Sequence, residues 1–560
     1  MANITKTVKL MLDHGLPGVF RCAVSESTQP RLPSYRLTME MTRSGQSVPV
    51  IDCGGRRYWL ESQYDPDRDA MRSAEAMALL DGECVALMGG GVRLIRTILA
   101  ARTGFQLIYY EPFPELRQAA TPADPRLTIV DSAEALCQHV RDLDLLSVIR
   151  FRGVLAPALK PILSGYAAAV FELARREFND RVSEVQTYLA IGELIVTNIV
   201  TQIPRLGRMS TLKSWISGSK AARVCVVASG PSLDRSAEEL ARVQGRLRIV
   251  AALSAAPSLL EWGIRPDAVI CLDPRPEEAD PLRLIPEPER RRLDWIVSVG
   301  LHPELFRMLE SCRCHVFCGD HPLEKWLADR FGPPGVLSAG GSVIIPAVDL
   351  AFQLGATDLV LVGADFSVGS GSVPMTHSRG TARIRQWVSG SNRFETFESV
   401  AFRSAADHAP RRIVVDEEAV RTGENLLAYR RQVEEALTGY EGRCRHLFPA
   451  VPVRGAQGCE TLRELENEPI IDKERAPTAP AWSVPGRIRQ VTSEIEDRLT
   501  AGISADELFR SALESRVYRR HRDAGGPVDT VVSAAAVELA GDLRKKVGRA
   551  WQQLYEQGSG

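Results

Sequence analysis

A short turn of small residues stands out as a candidate phosphate-binding loop. The turn consists of Ser229, Gly230, Pro231, Ser232 and Leu233. Its serine hydroxyls can donate hydrogen bonds, and free backbone N–H groups at a turn before a helix attract phosphate. The chain contains neither GxxxxGKS nor GxxxxGKT, so this turn is not that of a P-loop nucleotide hydrolase. Phosphate binding and a purely structural turn both fit these residues.

A second turn of small residues precedes another predicted helix. Gly340, Gly341 and Ser342 lead into an amphipathic stretch that runs from Ser342 to Leu354. The N-terminus of a helix favours anions, so this turn is a second candidate phosphate contact. Two such loops in one sheet could hold opposite sides of a diphosphate or a nucleoside monophosphate.

Two carboxylates follow predicted strands. Asp273 comes directly after the apolar run Ala268–Leu272, and Asp365 follows the run Asp358–Val362. An acid at the carboxyl end of a strand can contact a ribose or sugar hydroxyl. For Asp273, capping of the next turn is an equally good explanation.

One histidine has the position expected of a general base. His377 follows a stretch rich in glycine and serine, Val368–Pro374, which is typical of a lid over a site. A histidine beside a cleft can accept the proton of an attacking hydroxyl at neutral pH. A histidine in a loop is also often simply solvated.

The elements that must position these residues alternate between strand and helix from about 221 to 400. Alternation of this kind predicts a parallel, doubly wound sheet, in which ligands bind beyond the carboxyl ends of the strands. The predicted strands are Val224–Ala228, Arg248–Leu253, Ala268–Leu272, Trp295–Val299, His315–Phe317 and Asp358–Val362. The predicted helices include Pro257–Trp262, Glu304–Leu309 and Ser342–Leu354. A capping-box pair, Ser236 and Glu239, predicts a further helix that begins near 236.

A smaller α/β unit is predicted near the N-terminus. The strand Cys84–Met88 is followed by three glycines, a helix and the strand Gln106–Tyr110. Glu111 lies twenty positions after Gly91, as in nucleotide sites where an acid binds a ribose. Leu94 replaces the third glycine of the GxGxxG pattern, which favours a Rossmann-like domain with an empty or altered site. Methyl transfer by this unit is the alternative.

The remaining regions are predicted to be largely helical. Apolar residues recur at helical spacing over Tyr166–Arg176, Val182–Val200 and Asn425–Glu435. The predicted domains are a Rossmann-like N-terminal domain (1–150), a helical connector (151–220), a central nucleotide-sugar-binding catalytic domain (221–440) and a mostly helical C-terminal domain (441–560). The fold class is therefore α/β, with a Rossmann-like doubly wound central domain, a smaller α/β N-terminal domain and a helical C-terminal region.

Composition narrows the class of protein. The 560 residues suffice for roughly two to four domains. Basic and acidic residues number 69 and 70, a balance that disfavours general nucleic-acid binding. No signal pattern or membrane-spanning apolar run is evident, and the eleven scattered cysteines suggest reduced thiols, so we expect a cytoplasmic protein. We predict no metal site, because the cysteines around Cys314–Cys318 fit a buried strand better than zinc ligands.

Taken in order, these motifs resemble those of a known family. GPSL at 230–233, PDxxxxxDP at 266–274, GGSV at 340–343, GxD at 363–365 and the later histidine resemble the core of the Maf (motility accessory factor) flagellin glycosyltransferases. That core is similar to hydroxymethyl-dihydropterin diphosphokinase-like proteins and, more distantly, to bacterial sialyltransferases. Tyr64–Pro66, Tyr110–Pro112 and Arg421–Tyr429 extend the resemblance to about 60–440.

The resemblance implies a function and a set of site residues. A nonulosonic (sialic-type) sugar, such as a pseudaminic or legionaminic acid, would pass from a CMP-activated donor to Ser or Thr of flagellin before export. His377 and Asp365 would be catalytic, and Ser254, Asp273 and Thr376 would join the two loops in binding the donor nucleotide. The resemblance implies no metal and no cofactor besides the nucleotide sugar.

One departure from the sialyltransferases concerns the leaving phosphate. Where those enzymes have an aromatic residue after Gly-x-Asp-Phe, this chain has Ser367, and no tyrosine occurs from 366 to 400. Phosphate stabilisation would then fall to the two loops and to Arg379, Arg383 or Arg385. A pterin pyrophosphokinase-like enzyme and a non-catalytic flagellin-binding protein are the alternative functions.

Overall fold

The chain folds into two compact units. The computed structural model describes residues 32–117, 123–143, 148, 150–206, 209–331, 335–338, 341–367, 411–415, 418–422, 424–471, 473, 485–503, 506–524 and 528–558. The first unit comprises 1–187 with 517–532, and the second comprises 188–516 with 533–560.

The described strands and helices have the following bounds. The strands are β1 (Arg36–Met41), β2 (Ser47–Cys53), β3 (Arg56–Trp59), β4 (Glu83–Met88), β5 (Gln106–Tyr110), β6 (Leu127–Val130), β7 (Arg150–Leu155), β8 (Ser210–Thr211), β9 (Arg223–Val227), β10 (Arg248–Ala252), β11 (Ala268–Cys271), β12 (Asp294–Ser298), β13 (Arg313–Phe317), β14 (Asp358–Val362), β15 (Arg411–Val415), β16 (Glu418–Thr422), β17 (Arg443–Leu447) and β18 (Gln457–Cys459). The α-helices are α1 (Pro66–Ala76), α2 (Gly91–Ala101), α3 (Ala133–Arg141), α4 (Lys160–Leu206), α5 (Leu212–Ser217), α6 (Leu233–Val243), α7 (Ala256–Glu261), α8 (Ala279–Arg283), α9 (Glu287–Arg290), α10 (Pro303–Met308), α11 (Pro322–Phe331), α12 (Ile344–Gln353), α13 (Glu424–Ala436), α14 (Pro485–Ala501), α15 (Arg510–Ala524) and α16 (Val528–Gly558).

The first unit contains a parallel sheet of four strands in the order β6-β5-β4-β7. All six residues of β4 are buried, as expected of a central strand covered on both faces. The strands predicted at Cys84–Met88 and Gln106–Tyr110 and the helix between them are confirmed. An antiparallel sheet, β1-β2-β3, also belongs to this unit.

The glycine turn after β4 is filled by the protein's own side chains. A Cβ atom placed on Gly89 would lie 2.2 Å from Cδ1 of Leu159. Glu111 is buried, and it accepts a hydrogen bond from the hydroxyl of Tyr109, which in turn accepts one from the Gly91 N–H at 3.3 Å. Burial raises the pKa of Glu111 above its ordinary value. This geometry favours the altered-site interpretation of the N-terminal unit over methyl transfer.

The second unit is built on nine parallel strands in the order β18-β17-β14-β9-β10-β11-β12-β13-β8. Each of the strands predicted between 221 and 400 is present in it. Alternate residues of β9 enter two different cores: Val224 and Val226 pack with α12 on one face, and Cys225 and Val227 pack with α6 on the other. Helices on both faces of a parallel sheet define a doubly wound α/β fold, which confirms the predicted class.

The domain boundaries differ from the predicted ones. The central sheet continues through β17 and β18, so the boundary predicted at 440 falls inside it. The predicted connector, 151–220, begins in β7 of the first sheet and ends past β8 of the second. Within it, the two predicted helices are one helix, α4, of 47 residues. Strand pairing between residues far apart in the sequence sets these limits, and local sequence patterns do not reveal which strands pair.

The predicted capping box is wrong, because α6 begins at Leu233 and not near 236. The hydroxyl of Ser236 donates to the Ser232 carbonyl at 2.9 Å. Glu239 accepts from the Leu462 N–H at 2.7 Å and from the Thr461 hydroxyl at 2.8 Å. Burial opposes its charge, but these hydrogen bonds outweigh burial and lower the pKa of Glu239. Glu239 therefore fastens the segment after β18 to α6.

We expect Glu239→Ala to destabilise the protein by about 2 kcal/mol, because the buried Leu462 N–H then loses a charged acceptor. Urea unfolding monitored by circular dichroism measures this difference. The matched control is Glu238→Ala, since the Glu238 side chain is 86% exposed and its ion pair with Arg242 contributes little. Equal stability of the two variants would contradict the fastening role.

Candidate functional site

The candidate site lies where the strand order of the central sheet reverses. The chain passes from β9 to β10 on one side, and β14 pairs with β9 on the other side. Loops that leave neighbouring strands in opposite directions at such a point open a crevice at their carboxyl ends, where ligands of doubly wound sheets bind. The loop at 229–233 follows β9, and 363–367 follow β14.

Three backbone N–H groups join the ends of β9 and β14 and the loops that follow them. Ala228 donates to the Val362 carbonyl, Gly230 donates to the Gly363 carbonyl, and Ser232 donates to Oδ2 of Asp365, each at 2.8 Å. The first of these bonds extends the pairing of β9 with β14, and the other two fix the turn itself.

The expectation of free backbone N–H groups in the Ser229–Leu233 turn is therefore wrong for most of the turn. Besides Gly230 and Ser232, Leu233 donates within the turn to the Gly230 carbonyl at 3.0 Å. Pro231 has no N–H group. The Asp365 carboxylate occupies the anion position at the N-terminus of α6, which the sequence assigned to phosphate. A built-in carboxylate satisfies the helix end in the way a bound anion would.

Asp365 is 3% exposed and packs directly against the turn. A Cβ atom on Gly230 would lie 2.2 Å from Oδ2 of Asp365, so only glycine fits at that position. Burial raises the pKa of Asp365 to about 6, against the opposing effect of the Ser232 N–H. In this geometry Asp365 is a positioning residue for the loop, and its catalytic role stays a prediction.

The residue after Asp365 has an unusual backbone. Phe366 has a φ angle of +49°, a left-handed conformation that is uncommon for an aromatic residue. The buried hydroxyl of Thr422 donates to the Phe366 carbonyl at 2.6 Å. Ser367, which replaces the expected aromatic residue, is itself buried. The segment that follows β14 is therefore held by two contacts, one between Asp365 and the Ser232 N–H and one between the Phe366 carbonyl and Thr422.

Side-chain hydroxyls near the turn can act as hydrogen-bond donors, whereas most backbone N–H groups of the turn are already bonded. The hydroxyl of Ser254, after β10, donates to the hydroxyl of Ser229, after β9, at 2.9 Å. Both residues are half-buried at neighbouring strand ends. The structure thus brings together two of the predicted donor-binding residues, and each hydroxyl can reorient towards a phosphate oxygen.

Asp273 caps a turn, which is one of the two roles that the sequence left open for it. Its Oδ1 atom accepts from the Arg275 N–H at 3.0 Å, and its carboxylate pairs with the Arg275 guanidinium. Asp273 therefore caps the turn after β11 and places an arginine, 59% exposed, at this edge of the sheet.

A second arginine at this edge was missed in the sequence. The guanidinium of Arg235, in the first turn of α6, lies 4.5 Å from the ring centre of Phe448, which follows β17. Stacking on a ring fixes the plane of a guanidinium and leaves its N–H edge available to an anion. The sequence feature that could have identified Arg235 is its position three residues after Ser232, on the first turn of α6.

The second loop is close to a tyrosine. A Cβ atom on Gly341 would lie 2.5 Å from Cε1 and 3.1 Å from the hydroxyl of Tyr429, in α13. Because α12 runs back to the start of β14, its N-terminus with Ser342 lies at the carboxyl edge of the sheet. Tyr429 thus supplies an aromatic hydroxyl beside the loop from a helix well beyond the stretch 366–400, which contains no tyrosine. Gly340, Thr376 and His377 lie outside the described residues.

The described residues contain no group of three or more His, Cys, Asp or Glu side chains that could hold a metal ion. Within the same residues, no helix is both long and apolar enough to cross a bilayer. The ten cysteines that the structure describes are free thiols, and Cys314 and Cys318 are buried on and beside β13 as predicted.

Part of this core is similar to a known family of domains. Residues 197–371 match the family described as 6-hydroxymethylpterin diphosphokinase MptE-like. Among solved structures, the chain is similar to the Maf glycosyltransferase from Magnetospirillum magneticum AMB-1. The identity is 12% and the TM-score 0.48, over 99% of this chain and 94% of that one. No curated protein matches the sequence.

Asp365→Asn should change how stability depends on pH. The pKa of Asp365 in the folded protein, about 6, exceeds its ordinary value, so folding favours the protonated acid. The stability that this acid adds is present below about pH 4 and is lost as pH rises through 6. We therefore expect the wild type to lose stability relative to Asp365→Asn between pH 4 and pH 8, by about 1.4 kcal/mol per unit of pKa shift.

Chemical denaturation at several pH values measures this difference. Asp365→Ala is the matched comparison, because it removes the acceptor of the Ser232 N–H and should be the least stable of the three proteins at both ends of the range. A pH-independent difference between wild type and Asp365→Asn would show that the carboxyl does not titrate in this way.

Proposed function

We propose that this protein is a glycosyltransferase of the Maf type. It moves a nonulosonic sugar from a CMP-activated donor to serine or threonine hydroxyls of flagellin in the cytoplasm. The motif order seen in the sequence and the MptE-like core support this assignment. The observation that carries it is the meeting of the β9 and β14 loops where the strand order reverses, with the hydroxyls of Ser229 and Ser254 at the neighbouring strand ends.

The described residues suit the phosphate of a nucleoside monophosphate. The hydroxyls of Ser229 and Ser254 lie 2.9 Å apart at adjacent strand ends. Arg235, in the first turn of α6, adds a positive charge at the same edge of the sheet. Because the amides of the turn are occupied, phosphate recognition in this proposal depends on side chains, and each charged hydrogen bond contributes about 1.5–3 kcal/mol.

The proposed reaction is a displacement at the anomeric carbon. The acceptor hydroxyl oxygen forms a bond to that carbon, its proton passes to His377, and the bond to the phosphate oxygen breaks so that CMP leaves. Hydrogen-bond donors aimed at the departing phosphate stabilise the charge that develops there. Arg235, Ser342 and Tyr429 are the described groups at this edge that fit that task.

A pterin pyrophosphokinase-like activity is the second candidate, favoured by the family matched over 197–371. That reaction takes ATP with magnesium and a hydroxymethyl pterin, so the two candidates differ in both nucleotide and acceptor.

His377→Ala should lower the rate of sugar transfer about 10²–10⁴-fold, because the acceptor hydroxyl loses its general base. Transfer is measured with purified flagellin and the CMP-activated sugar, and melting temperature confirms folding. Near-normal transfer by the variant would remove His377 from the mechanism.

Nucleotide preference should separate the two candidates. We expect CMP to raise the melting temperature of the wild type and to do so much less with Arg235→Gln. The control is Arg307→Gln, an exposed arginine on α10. Stabilisation by ATP with magnesium, and none by CMP, would support the pyrophosphokinase instead.

The intact mass of flagellin from cells with and without the gene tests the acceptor. We expect the mass to fall by whole sugar units when the gene is deleted. An unchanged mass would refute flagellin as the acceptor, and co-purification with flagellin without transfer would indicate a binding protein.

A further inference from the structure

A cavity of about 330 Å³ opens at the opposite edge of the central sheet, where the strands begin. Arg248 is the first residue of β10, Asp294 is the first residue of β12, and Asp267 directly precedes β11; all three line the cavity. Lys473, from the segment after β18, closes one side. The cavity is therefore separate from the loops that follow β9 and β14, which lie at the carboxyl ends.

Positive charge dominates the lining. Four cations, Arg248, Arg265, Arg292 and Lys473, face two carboxylates, Asp267 and Asp294. The excess of positive charge in a partly enclosed space attracts anions, because the surrounding protein screens charge less than bulk water does.

Both lining carboxylates are already engaged by the protein. Oδ2 of Asp267 accepts from the Ile249 N–H and from Nζ of Lys473, each at 2.7 Å. Oδ2 of Asp294 accepts from the indole N–H of Trp215 at 2.9 Å, and its Oδ1 lies 2.8 Å from Nε of Arg313. These carboxylates thus hold the floor of the cavity in place.

The rim carries two exposed arginines that share one partner. Glu289 pairs with Arg265 at 3.2 Å and with Arg292 at 2.9 Å. The side chains of these arginines are 55% and 58% exposed, and exposed ion pairs of this kind are weak. An exposed guanidinium in such a pair can turn towards a ligand, and Arg248, which is 4% exposed, is the buried arginine of the lining.

We propose that this cavity binds a small phosphate-bearing molecule at a second site that is independent of the proposed donor site. Arginine guanidinium groups bind phosphate oxygens in pairs, and three of them line this cavity. The volume is near the lower end for ligand pockets and suits a sugar phosphate better than a dinucleotide. The inference does not depend on the identity of the transferase reaction.

Binding of inorganic phosphate and of a hexose phosphate to the full-length protein at low ionic strength tests this site. We expect Arg265→Gln and Arg292→Gln each to weaken hexose phosphate binding about tenfold by calorimetry. The matched control is Arg291→Gln, because Arg291 lies next to Arg292 but pairs with Glu287 outside the cavity. It should bind like the wild type.

Three results would overturn the proposal. The first is unchanged binding by both Arg265→Gln and Arg292→Gln. The second is loss of binding in Arg235→Gln alone, which would place the phosphate at the opposite edge of the sheet. The third is a hexose phosphate affinity no higher than that of sulfate, which would indicate only a general attraction of anions.

Discussion

The contact between the buried carboxylate of Asp365 and the N-terminus of α6 organises the candidate site. It joins the end of β14 to the turn after β9, the two neighbouring strands at which the order of the sheet reverses. The carboxylate compensates the helix dipole and the N–H of Ser232. Gly230 allows its close approach, and Thr422 holds the residue that follows it. The relative positions of the loops after β9 and β14 depend on this contact.

In this arrangement most backbone N–H groups of the small-residue turn are not available to bind an anion. A phosphate loop of the P-loop kind offers backbone N–H groups, but here the amides of Gly230, Ser232 and Leu233 are bonded within the protein. Recognition of an anion at this edge then falls to side chains, which are set on rigid strand ends and on the first turn of a helix. Side-chain hydroxyls and a stacked guanidinium can change their orientation as an anion moves, which is compatible with the proposed transfer from a CMP-activated donor.

Polar residues that are distant in the sequence become neighbours at both edges of the central sheet for the same physical reason. Parallel strands bring their amino ends together at one edge and their carboxyl ends together at the other, so residues far apart in sequence become neighbours. At the carboxyl edge this brings Ser229 to Ser254, and at the amino edge it brings Arg248 close to Asp267 and Lys473. A single sheet thereby supports two separate regions suited to anions.

The sequence by itself determined the central strands, because runs such as Val224–Ala228 and Asp358–Val362 must be buried on both faces, and it thereby determined the doubly wound class. It also located Ser229, Asp273 and Asp365 at strand ends. Only the tertiary structure decided that Asp365 occupies the anion position of the turn, that Ser236 and Glu239 do not form a capping box, and that β17 and β18 belong to the central sheet. It alone brought Tyr429 to Gly341 and Arg235 to Phe448. Burial follows from local apolar patterns, whereas hydrogen-bond partners of polar groups depend on which distant segments the fold brings within about 3 Å.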